Sequence, residues 1–75
     1  MVAAQCRMGR AALQLGVREL AKAAACSPTT VADFEGGKRT PHPRTLTAIR
    51  TALEQAGVVF TNGDEPGVKL RKADL

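Results

Sequence analysis

Leu15-Gly-Val-Arg-Glu-Leu-Ala-Lys-Ala-Ala-Ala-Cys-Ser-Pro-Thr-Thr-Val-Ala-Asp-Phe-Glu35 is the stretch that decides the fold. Val17, Leu20, Ala21 and Ala24 recur at i, i+3, i+4 and i+7, which lines one side of a helix with apolar groups. Ala25-Cys26 breaks that run, and Ser27-Pro28 then offers an N-cap followed by proline at a first helical position. In the helix so begun, Val31 and Phe34 turn inward while Pro28, Thr29, Ala32 and Asp33 turn the other way. The spacing predicts two short helices joined by a tight turn. The outer face of the second carries small side chains, hydrogen-bonding ones among them, and suits insertion into a DNA major groove.

A helix-turn-helix needs a body to carry it, and the flanking sequence supplies one. Residues from about Ala4 to Gln14 predict a first helix with Cys6, Gly9, Arg10 and Leu13 inward. Gly9 costs roughly 1 kcal/mol against alanine in mid-helix, and close helix packing is its expected return. Gly36-Gly37 ends the second motif helix, because glycine tolerates the left-handed C′ position. Lys38-Arg39-Thr40-Pro41-His42-Pro43 then forms a rigid, basic connection. Leu46, Ile49, Ala52, Leu53 and Ala56 mark the inner face of a fourth helix, from about Pro43 to Ala56.

After Gly57 the period changes. Val58-Val59-Phe60-Thr61 is β-branched and aromatic, Asn62 to Gly67 is turn chemistry, and Val68-Lys69-Leu70-Arg71 alternates apolar with basic. A hairpin follows, with Val58 and Phe60 on one face beside Val68 and Leu70. Since an isolated hairpin is marginal in water, it must lie on the helices, on a second chain, or on both. Lys72 to Leu75 reads as a frayed tail. The expected fold is mainly α: a four-helix domain over residues 4–57, then a C-terminal two-stranded β-hairpin over 58–71.

Charge and residue inventory narrow the function. The 75-residue chain carries a formal +4, unevenly spread. Residues 1–50 hold eight Lys and Arg against Glu19, Asp33 and Glu35, a net +5, while residues 51–75 hold three against four, a net −1. The basic part therefore carries the motif, as phosphate binding requires. No apolar run approaches the roughly 18 residues that span a bilayer, and no signal-peptide core opens the chain; the expected location is cytoplasmic. Cys6 and Cys26 read as buried, reduced thiols, and with His42 as the lone histidine no metal site or cofactor is expected. No carboxylate pair is placed with a nucleophile, and neither a phosphate-cradling glycine loop nor HExxH is present, so an enzyme is not expected.

Residues 5–57 resemble the Cro/C1-type (XRE-family) helix-turn-helix domain, in a compact form whose C-terminal element is a β-hairpin. The resemblance rests on Arg10 and Leu13, then Leu20-Ala21 and Ala24. It continues through Ser27-Pro28-Thr29-Thr30-Val31, Phe34-Glu35 and Gly37-Lys38-Arg39-Thr40-Pro41. Three positions depart from the family pattern: Gly16 and Val17 replace a hydroxyl cap and a glutamine, and Ala25 replaces the turn glycine. The last asks an alanine to turn left-handed, at a small strain cost.

The resemblance implies a lambda-repressor-like domain whose third helix enters the major groove of double-stranded DNA. Pro28, Thr29, Ala32 and Asp33 would face the bases; a threonine methyl can touch thymine and an aspartate can accept from cytosine N4. The same face could instead be plain solvated helix. The implied phosphate contacts are Gly16, Val17, Ser27, Thr30, Lys38, Arg39 and Arg44, although the first two lack the family's side-chain ligands. Arg10 and Glu35 would form a structural pair tying the first helix to the end of the third. Val58, Val59, Phe60, Val68 and Leu70 would form a dimer interface, with simple coverage of the chain's own helices as the competing arrangement. The implied function is a sequence-specific transcriptional regulator, a repressor acting as a homodimer on a palindromic operator, with no small-molecule ligand evident. A DNA-binding antitoxin is the alternative, and a protein-interaction adaptor on the same scaffold is a third reading.

Overall fold

The computed structural model describes residues 1–71 and contains α1 (Ala3–Leu13), α2 (Val17–Ala23), α3 (Pro28–Glu35), α4 (Pro43–Gln55), β1 (Val58–Thr61) and β2 (Gly67–Leu70). Four helices followed by an antiparallel hairpin is the architecture expected from the sequence. The expected tail at Lys72–Leu75 lies outside the described residues.

Local chemistry sets the boundaries, and it corrects two of them. α1 stops at Leu13, not Gln14, because Gln14 turns left-handed at φ 57 and the Leu15 N–H folds back to the Arg10 carbonyl at 2.9 Å. α4 stops at Gln55. Ala56, expected on its inner face, is an exposed C-cap, since Gly57 at φ 115 reverses the chain immediately afterwards. The turn between α2 and α3 contains Ala25 at φ 55, the left-handed conformation that costs an alanine roughly 1–2 kcal/mol. Gly37 takes the same region at φ 76, with open space where a Cβ would stand.

All four helices and the hairpin share one core: Cys6, Leu20, Ala21, Ala24, Val31, Phe34, Ile49, Leu53 and Val58. Val58 enters between α1 and α4. A methyl on Gly9 would meet Leu53 at 3.5 Å and Val58 at 3.6 Å, which is ordinary contact. The close helix approach expected of that glycine is therefore no closer than an alanine would allow.

Strand pairing sets Val58 opposite Leu70, Val59 opposite Lys69, Phe60 opposite Val68 and Thr61 opposite Gly67. With the two-residue alternation of strands, Val58, Phe60, Val68 and Leu70 share a face. Val58 is buried, and the other three are half-buried against the core. Val59 and Lys69 point outward, and Val59 is 42% exposed. The hairpin is tied at its base by the Arg71 N–H to the Gly57 carbonyl and by Arg71 Nη2 to the Glu54 carbonyl, both at 2.9 Å. No helix among the described residues is long and apolar enough to cross a membrane.

Candidate nucleic-acid interface

α3 is a short helix made definite at both ends. The Ser27 Oγ accepts the Thr30 N–H at 3.2 Å, and Pro28 occupies the first turn, where its missing N–H costs nothing. At the other end, the N–H groups of Lys38 and Arg39 return to the Asp33 carbonyl at 2.8 and 3.3 Å. Val31 and Phe34 anchor the inner side in the core. Pro28, Thr29 and Ala32 are exposed; Thr30 and Asp33 are half-buried. The Thr30 hydroxyl lies 3.4 Å from the Ser27 Oγ, so these two side chains face each other across the helix start.

α1 grips the C-terminal end of α3. The buried Glu35 carboxylate accepts from Arg10 Nε at 2.8 Å through Oε2 and from Arg10 Nη2 at 2.8 Å through Oε1. This is the bidentate fork that a guanidinium matches best. Cys6 Sγ donates to the same Oε2 at 3.2 Å, Arg7 Nη1 donates to the Glu35 carbonyl, and Arg10 Nη1 reaches the Leu15 carbonyl at 3.0 Å. Burial pushes the Glu35 carboxyl up, but the hydrogen bonds from Arg10 and Cys6, with the charges of Arg10 and Arg7, outweigh it and hold the group below its ordinary value. Burial together with the bond to Glu35 pushes the Cys6 thiol up to about 12, so it stays protonated and acts as a donor. Both cysteines are free thiols. Among the described residues no group of His, Cys, Asp and Glu could hold a metal ion.

Between α3 and the α3–α4 connection lies an open groove of about 390 Å³. Ser27, Thr29, Thr30 and Asp33 form one wall, and Arg39, Thr40, Pro41, His42 and Thr45 the other, with Cys26 at one end. Hydroxyls and a guanidinium can donate to phosphate oxygens, while Asp33 can accept from a base amino group. His42 N-caps α4: its Nδ1 accepts the Arg44 N–H at 3.1 Å, which assigns the proton of a neutral imidazole to Nε2. Lys38, Arg39 and Arg44 are exposed and form no ion pair among the described residues, and of the three Arg39 lines the groove.

The residues singled out in the sequence thus fall into separate places, the Arg10–Glu35 pair between α1 and the end of α3 among them. Ser27, Thr29, Thr30, Asp33 and Arg39 come together along the groove; Pro28 and Ala32 are exposed positions of α3 itself, and Lys38 and Arg44 are exposed beyond its C-terminal end. Gly16 and Val17 sit at the start of α2, where the Gly16 N–H already donates to Glu19 Oε1 at 3.1 Å and Val17 is half-buried on the core. The five hairpin residues lie away from the groove. Sequence reasoning placed Thr40 and His42 only in the rigid basic connection, with the lone His42 counting against a metal site, and did not single out Thr45. His42 was legible as a cap, since it precedes a proline at a first helical position; the two threonines carried no local signal. Gln5 and Arg7 were also passed over, because apolar periodicity is blind to a buried amide or a guanidinium reaching across helices.

A family model described as a helix-turn-helix domain matches residues 2–59. No curated protein matches the chain.

Proposed function

We propose that this chain, which belongs to the helix-turn-helix domain family and so carries a motif suited to placing its second helix in a DNA major groove, is a sequence-specific transcriptional regulator of the Cro/C1 type, a repressor working as a homodimer on a palindromic operator. The observation that carries this reading is α3 itself. Its inner side is locked by Val31, Phe34 and the Arg10–Glu35 fork, while Pro28, Thr29 and Ala32 stand in solvent beside a groove rich in donors.

In this reading Thr29 and Asp33 contact base edges, with Pro28 and Ala32 supplying apolar contact. Ser27, Thr30, Lys38, Arg39 and Arg44, with the start of α2 at Gly16 and Val17, hold phosphates. No long amide side chain lies on the exposed face of α3, so DNA shape contributes to selectivity. One helix reads only a few base pairs, and specific affinities of about 10⁻⁸ M or tighter call for two copies.

Selection from a random duplex pool, followed by affinity measurement over a salt series, tests the proposal. Each phosphate contact contributes about −0.9 to the slope of log K against log salt, so Lys38→Ala should flatten the slope by about that amount per protomer and weaken all sequences alike. Thr29→Ala should instead relax preference at one base pair by about 1–3 kcal/mol. Binding that ignores salt, or selection that enriches no sequence, would remove the assignment.

A further inference from the structure

Gln5 is a polar side chain buried to 2% exposure. Its Oε1 accepts the Val2 N–H at 2.8 Å, and its Nε2 donates to the Thr61 carbonyl at 2.8 Å and to the Gly67 carbonyl at 3.1 Å. Both amide hydrogens and the amide oxygen are used. Thr61 and Gly67 are opposite one another at the turn end of the hairpin, so one amide from α1 holds both strands at the end farthest from Gly57.

We propose that Gln5 is the positioning residue that sets the angle between hairpin and helical body, and through it the half-site spacing the dimer accepts. This rests on the homodimeric reading above, with the hairpin as the interface. The face of Val58, Phe60, Val68 and Leu70 holds the hairpin against the core, yet apolar contact is non-directional. Hydrogen bonds weaken steeply away from linearity, and the directional bonds lie at the two ends: Arg71 at the base and Gln5 at the turn. Gln5 shares α1 with Cys6, Arg7 and Arg10, which grip α3. One helix thus joins the hairpin to the groove-entering element through consecutive turns.

The lever is long enough to matter. Half-sites one helical turn apart are about 34 Å between centres, so each α3 stands about 17 Å from the two-fold axis. Tilting moves each α3 at right angles to its lever arm, so the component of that arm along the two-fold axis is what changes the separation. In a body with extents of 30 × 27 × 19 Å, a component of about 15 Å turns a tilt of about 6° in each protomer into a change of about 3 Å, close to one base-pair step. Without the amide, tilts of that size no longer meet a directional restraint at the turn end.

Gln5→Met keeps a side chain of similar volume and removes both donors, while Thr61 and Gly67 remain paired with each other and the Val2 N–H lies beside solvent. Gln5→Leu also loses both donors, with a branched apolar side chain in place of the amide. Parent and variants are each put through selection from a random duplex pool, and the enriched sequences are compared for half-site sequence and for spacing. The parent should enrich one spacing. Both variants should enrich the same half-site over a spread of spacings, bind a single half-site within about twofold of the parent, and bind the parent's spacing about tenfold more weakly, the loss expected for a base pair read out of register. An unchanged single spacing overturns the proposal. So does a parallel loss of half-site and paired-site binding, or failure of both variants to fold, since either makes Gln5 merely structural. A parent that enriches only isolated half-sites removes the dimer, and the proposal with it; a parent that enriches nothing removes the DNA reading itself.

Discussion

Glu35 gathers three side chains of α1 around the last turn of α3, and its energetics follow from which form of each group is buried. A carboxylate with a guanidinium fork and a thiol donor is well satisfied as an anion. Removing one partner leaves a buried charge uncompensated, which costs about 3–5 kcal/mol where burial is deep. Arg10→Ala should therefore lower the thermal midpoint more than Lys38→Ala, whose side chain lies in solvent. The pH dependence has a definite sign. The folded carboxyl titrates below its ordinary value of 4.5, so the pair's contribution is complete above that value and is lost as pH falls through it towards the lower, folded one. Thermal unfolding followed from pH 7 into acid should show the parent losing stability below about 4.5, with Glu35→Gln less stable at neutrality and flatter across that limb. Equal acid slopes for the two proteins would show that Glu35 is not the group responsible.

Individual elements owe their ends to short-range chemistry. The Ser27-Pro28 cap, the Gly36-Gly37 stop and Pro43 act within a few residues of themselves, so α3 and the start of α4 were legible without tertiary information. The misplaced ends, Gln14 and Ala56, are those where the chain leaves a helix to meet another element. The α2–α3 turn holds a residue in a conformation that its side chain opposes. Ala25→Gly removes the clash of Cβ with backbone in the left-handed region, against the larger entropy that glycine loses on folding. The net expectation is a gain of about 0.5–1 kcal/mol, raising the midpoint by a few degrees for a domain of this size. Differential scanning calorimetry of the two proteins decides it; a lower midpoint for the variant would mean that the turn is unstrained.

On the scale of the whole molecule, the hairpin is both cover and candidate interface, and its two faces separate these roles. Val58 belongs to the core, so deleting the chain after Gly57 would open the monomer as well as remove any interface. The outward face isolates the second role. Val59 is exposed and stands opposite Lys69, so Val59→Glu places a carboxylate beside an ammonium within the same hairpin and leaves the core untouched. If two hairpins meet at this face, the variant brings two like charges together, which costs several kcal/mol and weakens the dimer about tenfold or more. Light scattering at tens of micromolar, read beside the melting curve, measures both effects: the mass should fall to that of one chain while the midpoint holds. An unchanged dimer mass would move the interface elsewhere.

The sequence by itself determined what depends on neighbours along the chain. Helical periodicity placed Leu20, Ala21, Val31, Ile49 and Leu53 in the core, turn residues separated the helices, and two-residue alternation put Val58, Phe60, Val68 and Leu70 on one strand face. Only the tertiary structure decided which distant groups meet. Gln5 lies 56 residues from Thr61 and 62 from Gly67, and Cys6 lies 29 from Glu35. No local pattern marks such pairs, because their partners are backbone carbonyls and side chains brought together by packing. The groove has the same origin: Thr40, His42 and Thr45 line it with α3 because α1 and α2 pack against both α3 and α4 and so fix where the connection between them runs. Periodicity reports which side of an element is apolar, and only the packed arrangement reports what the polar groups find there.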